Sequence, residues 1–266
     1  MRAGLNNIVK MMKETDPKIE LEKKVEDEFL DNLKSSIELT EKKNARKPSL
    51  TYKPSGMNCI RQSYYQIKGY EQATDDFNYA LIGICESGTD RHERIQKAVA
   101  EMKNNGYDCE YVDVGNYVNQ HNLKDIEIVS KQGMETKLFN KKYNISFLCD
   151  GIIKYNGHYY IIEFKTESSY KFASRKGVDP SHYNQAKTYS MCLGLSDVLF
   201  VYISRDTLQM KAYLFNVTDE MRQGIIDYIT ECDKYLESST VPPKPSDVSK
   251  KTCSYCTYKL YCKGDK

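Results

Sequence analysis

Apolar residues recur every three or four positions between about residues 17 and 43, where Ile19, Leu21, Val25, Phe29, Leu33 and Ile37 form one stripe behind Asp16-Pro17. That pattern predicts an amphipathic helix with proline at its first turn. Lys47-Pro48 to Ser55-Gly56 reads as a loop, and a helix follows through about Tyr70. Another is expected from about Ser87 to Asn104, with Ile95, Val99 and Met102 on one face and Asn105-Gly106 at its end. Strand patterns lie near 107–114, 133–139, 144–155 and 158–166. Asp179-Pro180 opens a helix to about Leu193, closed by Gly194. Strands near 197–204 and 208–216 come next. Thr218 caps a last long helix whose face is Met221, Ile225, Ile229, Cys232 and Leu236. The prolines of 241–245 end it as a stiff linker. No internal repeat is evident. Hairpin strands followed by a helix and more strands predict an α/β fold, with a mixed central β-sheet flanked by helices. The expected divisions are a helical extension (1–50), a core (51–240) and a cysteine-bearing tail (241–266).

The sharpest local pattern is DGIIKYNGHYYIIEFK, from Asp150 to Lys165. Asn156-Gly157 is the favoured pair for a two-residue type I′ hairpin. This turn sets Tyr155 against His158, Lys154 against Tyr159, Ile152 against Ile161, and Asp150 against Glu163. Two carboxylates then face each other with Cβ atoms about 5 Å apart. Lys165 projects from the same face as Glu163. Ile152, Ile153, Ile161, Ile162 and Phe164 fall on both faces, so the strands are expected to be buried on both sides. Like charges opposite one another destabilise a sheet unless a cation lies between them. A carboxylate pair beside a lysine suits metal-assisted hydrolysis, with Asp150, Glu163 and Lys165 as catalytic candidates.

Composition narrows the class. The chain has 266 residues, 40% hydrophobic and 29% charged, with a net charge of +2. It fits one large α/β domain with extensions, and any basic surface must be local. No apolar run approaches transmembrane length, so no membrane partner is expected. MRAGLNNIVKMMK lacks the apolar core of a secretory signal, and a cytoplasmic location is expected.

Nine cysteines are unevenly placed. Cys85, Cys109, Cys149, Cys192 and Cys232 sit singly in apolar patterns and read as small buried hydrophobes. Cys253, Cys256 and Cys262 form C-x2-C-x5-C in the polar tail. Clustered thiolates without a secretion signal point to metal rather than disulfides. No histidine lies near them, and Cys59 is the best fourth ligand. Four thiolates suit zinc or a cubane iron–sulfur cluster, and the one-plus-three split favours iron–sulfur. Its expected role is to tie the tail to the Cys59 segment, two ends otherwise held by few apolar contacts.

Together these residues resemble the iron–sulfur, RecB/AddB-type branch of the PD-(D/E)XK nuclease superfamily, closest to the CRISPR-associated Cas-four exonucleases and their phage relatives. The resemblance covers about residues 52–262. It rests on Cys59-Ile60-Arg61 with Tyr64-Tyr65, on Gly88 to His92 (G-x3-H), on Asp150, on Glu163-Phe164-Lys165, on Gln185 to Tyr189 (Q-x3-Y), and on the three tail cysteines. Two positions depart from the family pattern: Ile60 replaces a proline, and no glycine occurs at Ser146-Phe147-Leu148. The resemblance implies Mg²⁺ or Mn²⁺ held by His92, Asp150, Glu163 and the Phe164 carbonyl, and a 4Fe-4S cluster on Cys59, Cys253, Cys256 and Cys262. It implies an exonuclease acting on DNA ends or single strands, with recombination or CRISPR-type protein partners. Gln185 and Tyr189 would then hold a phosphate or position Lys165. Lys171, Arg175 and Lys176 would line a DNA groove, with Tyr170 and Phe172 stacking on unpaired bases. Rival readings are an inactive DNA-binding adaptor, a redox-sensing DNA-binding protein and a zinc-stabilised endonuclease.

Overall fold

The computed structural model describes residues 17–43, 49–73, 78–246 and 248–264. The expectations for the first sixteen residues and for Lys47-Pro48 lie outside them. Two compact units divide the chain: Met1–Lys47 with Asp75–Cys85, and Pro48–Thr74 with Glu86–Lys266. The tail therefore belongs to the same unit as the core.

In the first unit, helix α1 (Pro17–Lys43) forms as its periodicity predicts. Its stripe faces solvent, with Leu21, Val25, Phe29 and Leu33 all exposed. The Tyr79 N–H donates to Glu38 at 3.0 Å.

The second unit is built on a five-stranded sheet in the order β1-β5-β6-β7-β8: β1 (Cys109–Val112), β5 (Gly151–Tyr155), β6 (His158–Glu167), β7 (Asp197–Ser204) and β8 (Met210–Asn216). Only β6 and β7 pair in parallel; the other neighbours are antiparallel. The parallel pair requires a crossover, supplied by α5 (Ser169–Ser174), a 3-10 turn (Pro180–His182) and α6 (Tyr183–Leu193). On one face, Ile152, Ile161, Val198, Phe200 and Tyr202 join a core shared with Ala186 and Leu193 of α6, and with Ile225 and Ile229 of α7 (Asp219–Glu237). On the other, Ile153, Ile162, Phe164 and Ile203 pack against Ile95, Val99 and Met102 of α3 (Tyr79–Ala100). Alternation along β5 and β6 thus feeds two cores, as strands covered on both sides require.

A smaller antiparallel sheet has the order β2-β3-β4: β2 (Ile126–Gln132), β3 (Glu135–Asn140) and β4 (Ile145–Cys149). Two expectations change here. The single strand expected over 144–155 is two strands in two sheets, broken at Asp150. Strand β2 was absent from the sequence reading. A register shift between Ile128 and Ser130 breaks its period-two pattern, and Ile128 and Val129 are both exposed.

Several local signals act as read. Asn156 and Gly157 take φ of 48° and 81°, the positive pair that a type I′ turn requires. Gly194 ends α6 at φ 71°, and Thr218 Oγ1 accepts from the Met221 N–H at 3.3 Å. The strand expected over 107–114 stops at Val112. Asp113 instead caps α4 (Val114–Gln120), accepting from the Asn116 N–H at 2.9 Å. Helix α2 (Ile60–Ile67) is shorter than predicted.

The tail folds into α8 (Lys250–Ser254) and α9 (Lys259–Gly264). Its attachment to the core differs from the expectation of few apolar contacts. Tyr258 and Tyr261 pack within about 6 Å, centroid to centroid, of Tyr65, and Tyr261 lies 4.8 Å from Tyr70. The Ala73 N–H donates to the Thr257 carbonyl at 2.8 Å. Cys109, Cys149, Cys192 and Cys232 are buried as predicted, whereas Cys85 is exposed.

Candidate active site

The β5–β6 hairpin pairs as its turn dictates, through Tyr155–His158 and Ile152–Ile161 to Gly151–Ile162. Pairing ends there, and Asp150 is the next residue out. Its Oδ2 accepts the Phe164 N–H at 2.8 Å, which fixes the carboxylate against β6 beside Glu163. Gly151 has to be small, because a Cβ there would lie 2.6 Å from the Tyr111 ring. The Tyr111 hydroxyl sits 3.0 Å from the Asp150 carbonyl and 2.8 Å from the Met134 carbonyl. It ties the Asp150 junction to the start of β3.

His92 reaches the same place from α3. One helical turn earlier, Gly88 comes so close to β6 that a Cβ would stand 3.2 Å from Thr166 Oγ1. His92 Nδ1 lies 3.9 Å from Asp150 Oδ2, too far for a hydrogen bond. Gln96, a further turn along, donates to the Asp150 carbonyl at 2.8 Å.

Sequence reading missed Glu135. The ligand atoms of His92, Glu135 and Asp150 all lie within 4.8 Å of one another. The β3–β4 register explains why: Thr136 pairs with Cys149, so the next step sets Glu135 against Asp150. Asp150 therefore has Glu135 across one sheet and Glu163 across the other.

These carboxylates are short of positive charge. Burial pushes Asp150 up to about 7, with Lys165 and the Phe164 N–H opposing. Burial also pushes Glu163 up to about 7, helped by the charge of Asp150. Glu135 is raised by burial and by Glu163. His92 is lowered by burial, which favours the neutral imidazole that metals bind. Lys165 Nζ donates to Glu163 Oε1 at 2.6 Å and to Gln185 Oε1 at 2.9 Å. The Gln185 amide donates to the same Glu163 oxygen at 2.6 Å. Glu163 Oε2 is buried with no partner. Three carboxylates, one of them with an orphaned buried oxygen, share a single ammonium, and together with the His92 imidazole they form a donor set that fits a divalent cation.

Cys59, Cys253, Cys256 and Cys262 line one cavity of about 120 Å³, together with Arg61, Lys244 and Lys259. Burial raises the Cys256 and Cys262 thiols, and each is raised further by Cys59 and Cys253. Arg61 and Lys244 pull Cys262 the other way. The four thiols thus share one partly cationic recess.

No protein-family model matches the chain, and no curated protein matches it. Among solved structures it is similar to SSO0001, at 16% identity and a TM-score of 0.46, over 86% of this chain and 93% of that one. It is similar to LHK-Exo in complex with dAMP, at 13% identity and a TM-score of 0.40, over 72% and 90%. The alkaline exonuclease LHK-Exo from Laribacter hongkongensis matches at 14% identity and a TM-score of 0.39, over the same shares. Likenesses this distant carry no argument about chemistry.

Of the basic residues expected to line a groove, Lys171 and Lys176 are exposed and Arg175 is not. Arg175 Nε and Nη2 each donate to Glu167 at 2.6 Å, and Nη2 reaches Asp179 at 3.2 Å. Its side chain is 6% exposed, so this guanidinium is spent inside the fold. Lys171 pairs with Asp179 at 2.7 Å. Phe172 is buried in the core, whereas Tyr170 and Lys176 are exposed. Gln185 and Tyr189 are buried too, and the Tyr189 hydroxyl donates to the Leu148 carbonyl at 2.6 Å. Gln185 bonds both Lys165 and Glu163, the positioning role expected for this pair, and Tyr189 accepts from the Gln185 amide at 2.9 Å.

Proposed function

We propose that this chain is a Mg²⁺- or Mn²⁺-dependent deoxyribonuclease, acting as an exonuclease on single-stranded or frayed DNA ends. The observation that carries this reading is the meeting of His92, Glu135 and Asp150 within 4.8 Å, with Glu163 and its Lys165 partner on the adjoining strand. His92, Glu135 and Asp150 would hold the cation, with Glu163 offering Oε2 and Phe164 its carbonyl. A divalent ion so placed supplies an acidified water and a counter-charge for the phosphate. Lys165, steered by Gln185 and Glu163, would orient the attacking water or offset charge on the phosphate. The choice of DNA and of ends rests on the family resemblance of the motifs.

The cysteine recess would hold a 4Fe-4S cluster. The four cysteines line one cavity, and their one-plus-three split along the chain supports a cubane over zinc. Visible absorbance with iron content of anaerobically purified protein tests it.

The nuclease reading is tested by incubating wild type and Asp150→Asn with linear single strands, linear duplex and closed circles, with and without Mg²⁺ or Mn²⁺. Metal-dependent loss of linear substrates only, absent in the variant, is expected. No cleavage of any substrate by wild type overturns the enzyme reading, and equal cleavage of closed circles overturns the exonuclease reading.

A further inference from the structure

His182 stands at the N-cap of α6, one turn before Gln185, and the mechanism above leaves it unused. Its Nδ1 lies 2.9 Å from the Tyr202 hydroxyl. That hydroxyl also accepts the Asp179 N–H at 2.9 Å. With the Asp179 amide already donating to the oxygen, giving the phenol proton to Nδ1 satisfies all three groups, whereas an Nδ1–H would leave that proton without an acceptor among the described residues. The Arg175 guanidinium, 3.9 Å from the Tyr202 ring centroid, makes the phenol a stronger donor. Burial, with the nearby charge of Lys165, pushes His182 down to about 3, so the ring is neutral. A neutral imidazole that accepts at Nδ1 carries its hydrogen on Nε2. Among the described residues that Nε2 has no hydrogen-bond partner.

The ring lies beside the chemistry. Its plane is within 16° of Phe200 and 20° of Tyr202, with centroids about 6 Å away. In the parallel ladder, Phe200 is opposite Glu163 and Tyr202 is opposite Lys165. Gln185 bonds both Glu163 and Lys165. His182 therefore borders the carboxylate face at the lysine side.

We propose that His182 is a further substrate-binding residue, whose Nε2–H donates to a nonbridging oxygen of a phosphodiester in the bound strand, next to the linkage at the carboxylates. The proposal rests on the nuclease reading. A purely structural histidine would be satisfied by its Nδ1 bond and its packing. Here the chain from the Asp179 amide through Tyr202 favours a tautomer whose donor has no partner among the described residues. A second cation beside Lys165 would be repelled, whereas a neutral donor adds a bond to an anionic oxygen without that penalty.

Two measurements test it. Nitrogen-15 spectra of the imidazole should report the Nε2–H neutral tautomer between pH 5 and pH 8, and an Nδ1–H tautomer overturns the proposal. Binding is then measured in an Asp150→Asn background with single-stranded oligonucleotides, each carrying one methylphosphonate at a different linkage. His182→Ala should weaken binding to the unmodified strand about 10- to 100-fold, the range for a hydrogen bond to a charged group. One methylphosphonate position should remove that difference. His182→Gln, whose amide nitrogen can stand near Nε2, should recover part of the affinity, and His182→Asn should not. If wild type cuts DNA and both His182→Ala and His182→Gln bind every oligonucleotide as the parent does, the His182 proposal alone fails. If wild type neither binds nor cuts DNA, the nuclease reading fails with it.

Discussion

Glu135 and Asp150 sit on antiparallel neighbours, one residue beyond the last paired step of β3 and β4, and their carboxylates fall within 4.8 Å. Glu135 is thus expected to be a metal ligand. Glu135→Gln keeps the shape and removes the charge. It should lower Mg²⁺ or Mn²⁺ affinity about 10- to 100-fold by calorimetry and slow DNA cleavage at limiting metal. Unchanged affinity would leave Glu135 out of the site.

The raised carboxylates set a pH dependence. Asp150 and Glu163 titrate near about 7 when folded, against about 4 when unfolded. Between those values the folded chain holds protons that the unfolded chain has released, so stability falls as pH rises through that window. Metal-free protein should therefore have a higher urea midpoint at pH 5 than at pH 8, and Asp150→Asn should flatten the difference. Added Mn²⁺ should raise the midpoint at pH 8, by binding the folded state. A larger pH slope in Asp150→Asn would contradict the assignment.

Arg175 and Lys176 are neighbours with opposite expectations. Removing the Arg175 guanidinium strands Glu167, whose side chain is 6% exposed. Arg175→Ala should cost about 3 kcal/mol in urea unfolding, the scale for breaking a buried pair. Lys176→Ala should leave stability within about 0.5 kcal/mol. It should reduce only salt-sensitive DNA binding.

The four recess cysteines should act as a set. Serine at position 59, 253, 256 or 262 should lose bound iron and lower stability, because the metal joins distant segments. Cys232→Ser should retain iron. The tyrosine packing of the tail implies that the iron-free variants keep some tail contact, so their near-ultraviolet tyrosine signal should weaken without vanishing. Full iron content in Cys59→Ser would remove that residue from the set.

The hairpin was legible because Asn-Gly specifies both turn and register, and the register carries Glu163 and Lys165 with it. Gly194 and Thr218 were legible for the same reason: each is a local rule about one backbone position. Glu135 was not. Its place depends on how β3 pairs with β4, and no short turn signature fixes that register. The run 144–155 reads as one strand because apolar residues continue through it, whereas the chain changes sheets at Asp150. Arg175 looked like a groove residue because its partners, Glu167 and Asp179, lie across turns that no sequence period links. The cysteine recess was legible from spacing in the tail, but the choice of Cys59 relied on its polar surroundings.

A single residue carries the chain from β4 in one sheet to β5 in the other. Replacing Asp150 changes chemistry at a position that has no ladder partner, so the fold should survive many side chains there. Adding or deleting one residue would be a different matter. Side chains alternate with a period of two, so a slip would turn Ile152 out of its core and Ile153 out of the opposite one. The junction should therefore tolerate substitution but not a change of length. In a library of random edits, insertions and deletions at 149–151 should vanish from the folded pool while substitutions at 150 persist as inactive, soluble protein.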